Sequence, residues 1–332
     1  MKFPTRIMTG DKVGAAWAGP YLTPYAEAIA EHYTIRTPWF STLPITLGVP
    51  PKRLVLLTKP LQNDVLILGF QAQGNAAQLP FVYLQVEHTS TGIPWAAPNV
   101  LPGVPLSAIS GLNSNAMPNL KLPEAFFMPA GTQLRLEWNT LGQPSIASYA
   151  ALLLTLIGIQ LTNPIDGSSP RTVRMPNGRD IPVGSRVPLF MTMGVGNRQS
   201  LATYFLSNSQ QRIQYLPPIA CDVEIHDLST NMVSAAFGIG TGATGVSNLQ
   251  VKTTVMGVER QWTPNFAPVT SLFGGPGGAA GAATQIFPAM PYTMPYVLPA
   301  GRRIKVAVNN SSITATFTQG LLTFRCVRLC EY

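Results

Sequence analysis

Charge is what this 332-residue chain has least of: Asp, Glu, Lys and Arg together make 11% of it, against about 25% in an ordinary soluble domain. Disordered chains are charge-rich and apolar-poor, whereas 46% of these residues are hydrophobic, so disorder is excluded. Long apolar runs are missing too. The longest, Tyr149 to Leu161, is broken by Thr155, Gly158 and Gln160 and falls short of the ~20 residues that a membrane-crossing helix needs. Met1 to Asp11 alternates charge with proline and glycine, so no apolar secretory leader is expected there. Cysteine is scarce as well, with three in the chain. Cys326 and Cys330 lie in one strand-like run, about 13 Å apart along an extended chain, which is beyond disulfide reach. Cys221 is remote in sequence, so three reduced thiols are expected, as suits assembly in a cytosol. No zinc-binding spacing occurs.

A chain with so little charge is poorly equipped to stay apart from its neighbours, which predicts an obligate assembly subunit. What charge there is divides unevenly. Residues 1–170 carry nine Lys and Arg against eight Asp and Glu, and residues 171–332 carry thirteen against six. Arginine outnumbers lysine fifteen to seven, which fits planar, hydrogen-bonded pairs at subunit interfaces. The basic second half could also contact nucleic acid. That reading is not favoured, because like charges never run in blocks of five or six.

Proline (31) and glycine (29) punctuate short apolar runs throughout, the pattern of an all-β chain with many turns. Residues 1–49 read as an N-terminal arm. Within it Thr23-Pro24 is an N-cap followed by proline at the first helical position, opening one short helix to about Tyr33. An internal repeat follows. Phe127-Met128-Pro129-Ala130-Gly131, with the strand Leu134-Arg135-Leu136-Glu137-Trp138-Asn139, returns 170 residues later. The second copy is Val297-Leu298-Pro299-Ala300-Gly301 with the strand Ile304-Lys305-Val306-Ala307-Val308-Asn309. Proline and glycine two apart predict a type I turn, and the apolar positions alternate as a half-buried strand requires. Tyr149–Leu161 matches Phe317–Leu329 downstream. Upstream, Tyr83 to His88 is echoed by Asp222 to His226, which would place an insertion of about 33 residues within the glycine-rich 231–285. The expected organisation is two tandem homologous jelly-roll-like β-sandwiches, 50–163 and 181–332, joined by a basic linker at 164–180 that carries Arg171, Arg174 and Arg179.

Candidates for chemistry are few. His88 beside Glu87, and His226 beside Glu224 and Asp227, could serve as acid–base pairs in a cleft. Aligning the two Val-Glu steps puts the histidines on opposite strand faces, so they read as structural. His32 sits near the helix C-terminus, where imidazole suits the dipole. Gly240 to Gly245 spells G-x-G-x-x-G, yet no helix-forming run follows it, so it reads as a loop and not a dinucleotide site. No catalytic, cofactor-binding or metal-binding residue is assigned, and an enzyme is not expected. Trp17, Trp39, Trp95 and Trp262 read as loop aromatics, suited to subunit contacts or to stacking on sugars.

The Pro-Ala-Gly turn, the strand closed by asparagine and the terminal apolar strand resemble those of virion structural proteins of bacterial viruses, in particular the tandem (double) jelly-roll capsid class. The resemblance implies a non-enzymatic shell, decoration or tail-associated subunit. Such a subunit would assemble in the host cytoplasm, reside in the virion, contact other virion proteins and form homo-oligomers, often trimers. A receptor- or carbohydrate-binding adhesin module, using loops 93–122 and 231–285, is the alternative. On the assembly reading, residues 1–35 are expected to lie across other subunits.

Overall fold

The computed structural model describes residues 22–47, 53–73, 82–89, 91–97, 103–112, 120–139, 149–194, 197–198, 204–205, 210–230, 249–255, 260–261, 265–268, 290–310 and 321–329, and the account below concerns these.

Helix α1 (Pro24–Glu31) begins where its capping residues dictate. The Thr23 hydroxyl accepts the Ala26 amide at 3.2 Å, and Pro24 fills the first turn, where an amide hydrogen would have no helical partner. His32 is its C-cap. A second helix, the single turn α2 (Leu106–Ile109), was not expected from sequence.

The rest is β. In the first sandwich, β1 (Tyr33–Leu47), β9 (Tyr149–Pro164), β3 (Asp64–Gln73) and β7 (Leu120–Met128) form one sheet in that order, with β6 (Ser110–Leu112) beside β3. The facing sheet is β2 (Arg53–Leu57), β8 (Leu134–Asn139), β4 (Tyr83–His88) and β5 (Val104–Pro105). A hairpin of β10 (Thr172–Arg174) and β11 (Asp180–Pro182) follows. In the second sandwich one sheet runs β12 (Arg186–Gly194), β22 (Leu321–Leu329), β16 (Val223–Thr230), β20 (Met290–Leu298). The other runs β15 (Gln211–Tyr215), β21 (Ile304–Asn310), β17 (Leu249–Val255), β18 (Arg260–Gln261), with β19 (Ala267–Pro268) also on β17. A small hairpin of β13 (Asn197–Arg198) and β14 (Tyr204–Phe205) lies between β12 and β15.

Both sandwiches therefore have the same strand order, first–eighth–third–sixth over second–seventh–fourth–fifth, which is that of a jelly roll. Local details coincide as well. Gly131 donates its amide to Leu61 and Gly301 to Ile219; Asp64 accepts from Ala130 at 2.7 Å and Asp222 from Ala300 at 2.8 Å. A bulge falls at Leu68 in β3 and at His226 in β16. Arg36 pairs with Leu161 in β1–β9, and Arg186 with Leu329 in β12–β22. The second row of alternate residues on the first strand is also the same, Arg36, Pro38, Phe40, Thr42 against Arg186, Pro188, Phe190, Thr192.

Four expectations change. The Tyr83–His88 echo of Asp222–His226 fails, because β4 lies in one sheet and β16 corresponds to β3 in the other. Asp64 and Asp222 are the equivalent residues, 158 apart against 170 for Gly131 and Gly301, so the second unit is longer by 12 residues between them, not 33. Residues 231–285 are no simple insertion, since β17 pairs with β21 inside the sheet. The Pro-Ala-Gly turns have glycine at the third position with φ of +79° and +76°, and Thr132 and Arg302 close them onto Pro129 and Pro299. That is the geometry of a type II turn, where glycine meets no steric penalty.

The boundaries shift too. Tyr33–Leu47, assigned to the arm, is the edge strand β1 of the first sandwich. Helix α1, expected to lie across a neighbour, packs on its own first sandwich. With Val173 of the hairpin it covers the outer face of the first sandwich, packing Tyr25, Ala26, Ile29 and Ala30 on Leu66, Leu68, Phe127, Ile159 and Leu161. Residues 1–21, the remainder of the arm, lie outside the described residues. Each sandwich has its own interior: Leu134, Leu136 and Trp138 of β8 are fully buried in one, and Ile304, Val306 and Val308 of β21 in the other.

Candidate functional site: the seam between the sandwiches

The two sandwiches meet along β12. Leu189, Met191 and Met193 face the core of their own sandwich, while Phe190 enters the core of the first. Its amide donates to Trp95 O at 2.7 Å, and its carbonyl accepts from Ala97 at 2.9 Å. Trp95 stands edge-on to Phe70 and Phe126, with ring centroids 5.7 and 5.1 Å away. Ala97 in return belongs to the second core. Each core thus includes a residue of the other sandwich.

A charged clamp lies at the start of β12. Arg186 Nε donates to Glu124 Oε2 at 2.9 Å; Nη1 donates to Glu224 Oε1 at 3.1 Å and Nη2 to Glu224 Oε2. Glu124 belongs to the first sandwich and Glu224 to the second, so one guanidinium joins both. Glu124 is fully buried and also accepts from the Thr23 hydroxyl and the Ala125 amide. Burial pushes the Glu224 carboxyl up, but hydrogen bonds from His226 and Arg186, with the charge of Arg186, prevail and bring its pKa down to about 2. Burial likewise opposes the charge on Arg186, and the two carboxylates reverse this and raise its pKa. Buried ion pairs gain little unless every lone pair is satisfied, and here the acceptors are almost fully used.

Tyr25 ties α1 to the same place. Its hydroxyl donates to Pro182 O at 3.1 Å and accepts from Gly184 at 2.8 Å, and the Arg186 guanidinium lies 5.8 Å from its ring centre. Burial lifts the phenol to about 12. Beside the clamp is a cleft of about 1310 Å³, walled by α1, the β10–β11 hairpin and the outer face of the second sandwich, including Cys221, Glu224 and His226.

This arrangement is suited to joining parts and poorly suited to proton transfer. Glu224 is held ionised, and burial raises the Cys221 thiol above its ordinary pKa, so it is not an activated nucleophile. His226 lies 3.4 Å from Glu224, and Asp227 turns at the bulge to Arg325, 3.4 Å away. His88 is buried edge-on to Phe126, its pKa lowered by burial, while Glu87 pairs with Arg135 at 3.3 Å. Trp95 is fully buried and so no exposed loop aromatic, because it anchors the seam; Trp39 is half-buried against the first core. Trp17, Trp262, Gly240 to Gly245 and Cys330 lie outside the described residues. Among the described residues no three His, Cys, Asp or Glu side chains converge on a metal position, and no helix is long and apolar enough to cross a membrane. Sequence reasoning missed Arg186, Glu124 and Phe190; the repeated Arg-x-Pro-x-Phe-x-Thr row was the signal for two of them.

No protein-family model matches the chain, and no curated protein matches it. Among solved structures it is similar to the glycosylasparaginase PNGase F of Flavobacterium meningosepticum, at 10% identity and a TM-score of 0.33 over 88% of this chain and 97% of that one. It is similar to a chain of the Sputnik virophage at 9% identity and a TM-score of 0.29, covering 87% and 85%. The infectious bursal disease virus VP2 subviral particle follows at 12% identity and a TM-score of 0.20, covering 91% and 78%. At such scores the likeness is coarse and carries no argument about function.

Proposed function

We propose that the chain is a non-enzymatic structural subunit of a virus particle, in the shell, as decoration or associated with a tail, working through contacts between copies. The observation that supports this best is the seam. Two jelly rolls of one strand order are locked into a single block by Phe190 and the Arg186 clamp, and the polar groups there are spent on mutual bonds instead of being presented to a substrate. Jelly rolls occur in capsid, lectin and cupin proteins, so fold alone does not choose among these. Low charge favours association. So do apolar side chains exposed at matching places on the two second strands, Val55 and Leu57 on β2, Ile213 and Tyr215 on β15. The matching landmarks also support descent of both halves from one duplicated unit. The adhesin reading has less support, since of its stacking aromatics Trp95 is buried.

The test is the native mass and particle shape of purified protein by sedimentation and negative-stain microscopy. Discrete oligomers or shells are expected. A strict monomer that binds glycans on an array would overturn the reading in favour of the adhesin.

A further inference from the structure

An edge strand presents unpaired backbone groups, and natural proteins blunt it with proline, short length, bulges or inward-pointing charge. Most edges among the described residues are protected in this way. Strands β1, β7, β12 and β20 carry Pro38, Pro123, Pro188 and Pro291, while β5, β6, β18, β19 and the two small hairpins have strands of three residues or fewer. Two edges remain. β15 has Arg212 and Gln214 on its inner row, opposite Val308 and Val306. β2, at the equivalent place in the first sandwich, has Leu54 and Leu56 there, packed against the core. It is five residues long, with neither proline nor bulge.

The hydrogen-bond phase of β2 determines which of its groups are left over. The Thr58 amide donates at 3.0 Å to Leu134 O, the residue opposite it in the β2–β8 register. On the other side of β8, the Thr89 amide donates to Gln133 O at 3.2 Å. Bonded and non-bonded positions alternate in an antiparallel pair, so Leu54 and Leu56 bond to β8. The N–H and C=O groups of Arg53, Val55 and Leu57 therefore point to the edge, where no described strand lies. Their side chains are exposed on the outer face. Arg53 is the one charge on the strand, and Glu137 holds it at 2.5 Å.

We propose that β2 pairs with β2 of a second copy, antiparallel about a two-fold axis through Val55, and so joins two four-stranded sheets into one. The occupant is a second copy because the strand is complementary to itself in this register. Val55 meets the partner's Val55, and Arg53 and Leu57 meet each other in both directions, so all three residues exchange backbone bonds. The two guanidinium groups lie apart, each on its own Glu137; a register that set Arg53 against Arg53 would oppose like charges. On the inner face Leu54 meets Leu56, so the junction is apolar on both sides. Such a contact is isologous and makes pairs. The proposal rests on the assembly reading above and gives it a surface.

The test exchanges charge at position 55 of the full chain. Val55→Lys alone and Val55→Glu alone should each raise the concentration for half-assembly, read by sedimentation, by on the order of 10-fold or more, because like charges meet at the axis. Far-ultraviolet circular dichroism should be unchanged. Mixing the two variants should restore assembly to near that of the parent. Under mild oxidation Val55→Cys should form a covalent pair, its two Cα atoms being about 5.5 Å apart, with the parent as control for the native thiols. Leu57→Cys, roughly 14 Å from its counterpart, should not. Single variants that assemble like the parent would leave the edge to a strand of another protein and overturn the self-pairing, with the assembly reading intact. A mixture that stays dissociated overturns the self-pairing as well. A parent protein that stays monomeric overturns both.

Discussion

Arg186 grips Glu224 with two parallel N–H···O bonds across the seam and spends its remaining Nε on Glu124 of the other sandwich. The carboxyl of Glu224 falls from 4.5 to about 2 in the folded state. A depressed carboxylate contributes stability that is present above its unfolded pKa and lost as pH falls through the folded one. Urea midpoints followed by tryptophan fluorescence should therefore decline between about pH 4.5 and pH 2, by on the order of 3 kcal/mol from this group. In Glu224→Gln that part of the decline should vanish and neutral-pH stability should drop. An unaltered acid limb would show that Glu224 is not the group responsible.

Asp64 and Asp222 do one job with unequal support. Both hold a Pro-Ala-Gly turn, but Asp64 is buried and also accepts from the Tyr33 and Ser169 hydroxyls, whereas Asp222 is exposed. Asp64→Ala strands three donors and should cost about 3 kcal/mol, against about 1 kcal/mol or less for Asp222→Ala. Chemical denaturation of the two variants side by side measures the difference.

Gly158 has no room for a side chain. A Cβ there would lie 2.4 Å from Leu66 O, within the β9–β3 pairing. Because the obstacle is main chain, Gly158→Ala must spread two strands, and a loss of about 3 kcal/mol or more is expected. A thermal melt within a degree of the parent would rule out this close approach.

The thiols should be quiet. Cys326 is buried, and burial pushes its pKa well up; Cys221 is half-buried and also raised. Reaction with a disulfide reagent should leave Cys326 unmodified until unfolding, with Cys221 slow, and gel mobility should not depend on reductant. Rapid labelling of Cys326 in native protein would contradict its placement.

Helix α1 should matter to the first sandwich itself. Ile29 is fully buried on its outer face, so Ile29→Asp buries an uncompensated charge and should lower stability by several kcal/mol, roughly 3 or more. Calorimetry that shows a parent-like transition would mean that the helix is detachable, as the sequence-based arm assignment held.

The sheets were legible wherever burial imposed a period of two, as at Leu134, Leu136 and Trp138, and wherever a turn demanded glycine, as at Gly131 and Gly301. What misled was resemblance between strands from different sheets: Tyr83–His88 and Asp222–His226 look alike because both alternate, and alternation does not say which sheet a strand joins. The Asp-Val steps at 64 and 222 were the better markers. They were short, and their purpose, holding a turn 66 and 78 residues away, is invisible until the chain is folded. The clamp was hidden for the same reason. Nothing in the order of residues announces that Glu124, Arg186 and Glu224 converge, and Trp95 looked like a surface aromatic because its proline-rich surroundings resemble a loop.

Leu66 and Leu68 lie under α1, while Glu224 and His226 hold the corresponding places on the second sandwich and line the cleft. Two sandwiches of one strand order pose a pairing problem, since helix α1 meets two sheets of similar layout and must choose one. The choice is decided by side chains, because a carboxylate that binds Arg186, with an imidazole beside it, cannot stand in for the leucine pair that the helix covers. The difference between the two faces makes the halves of the chain unequal: one face is built to take helix α1 and the other to hold Arg186.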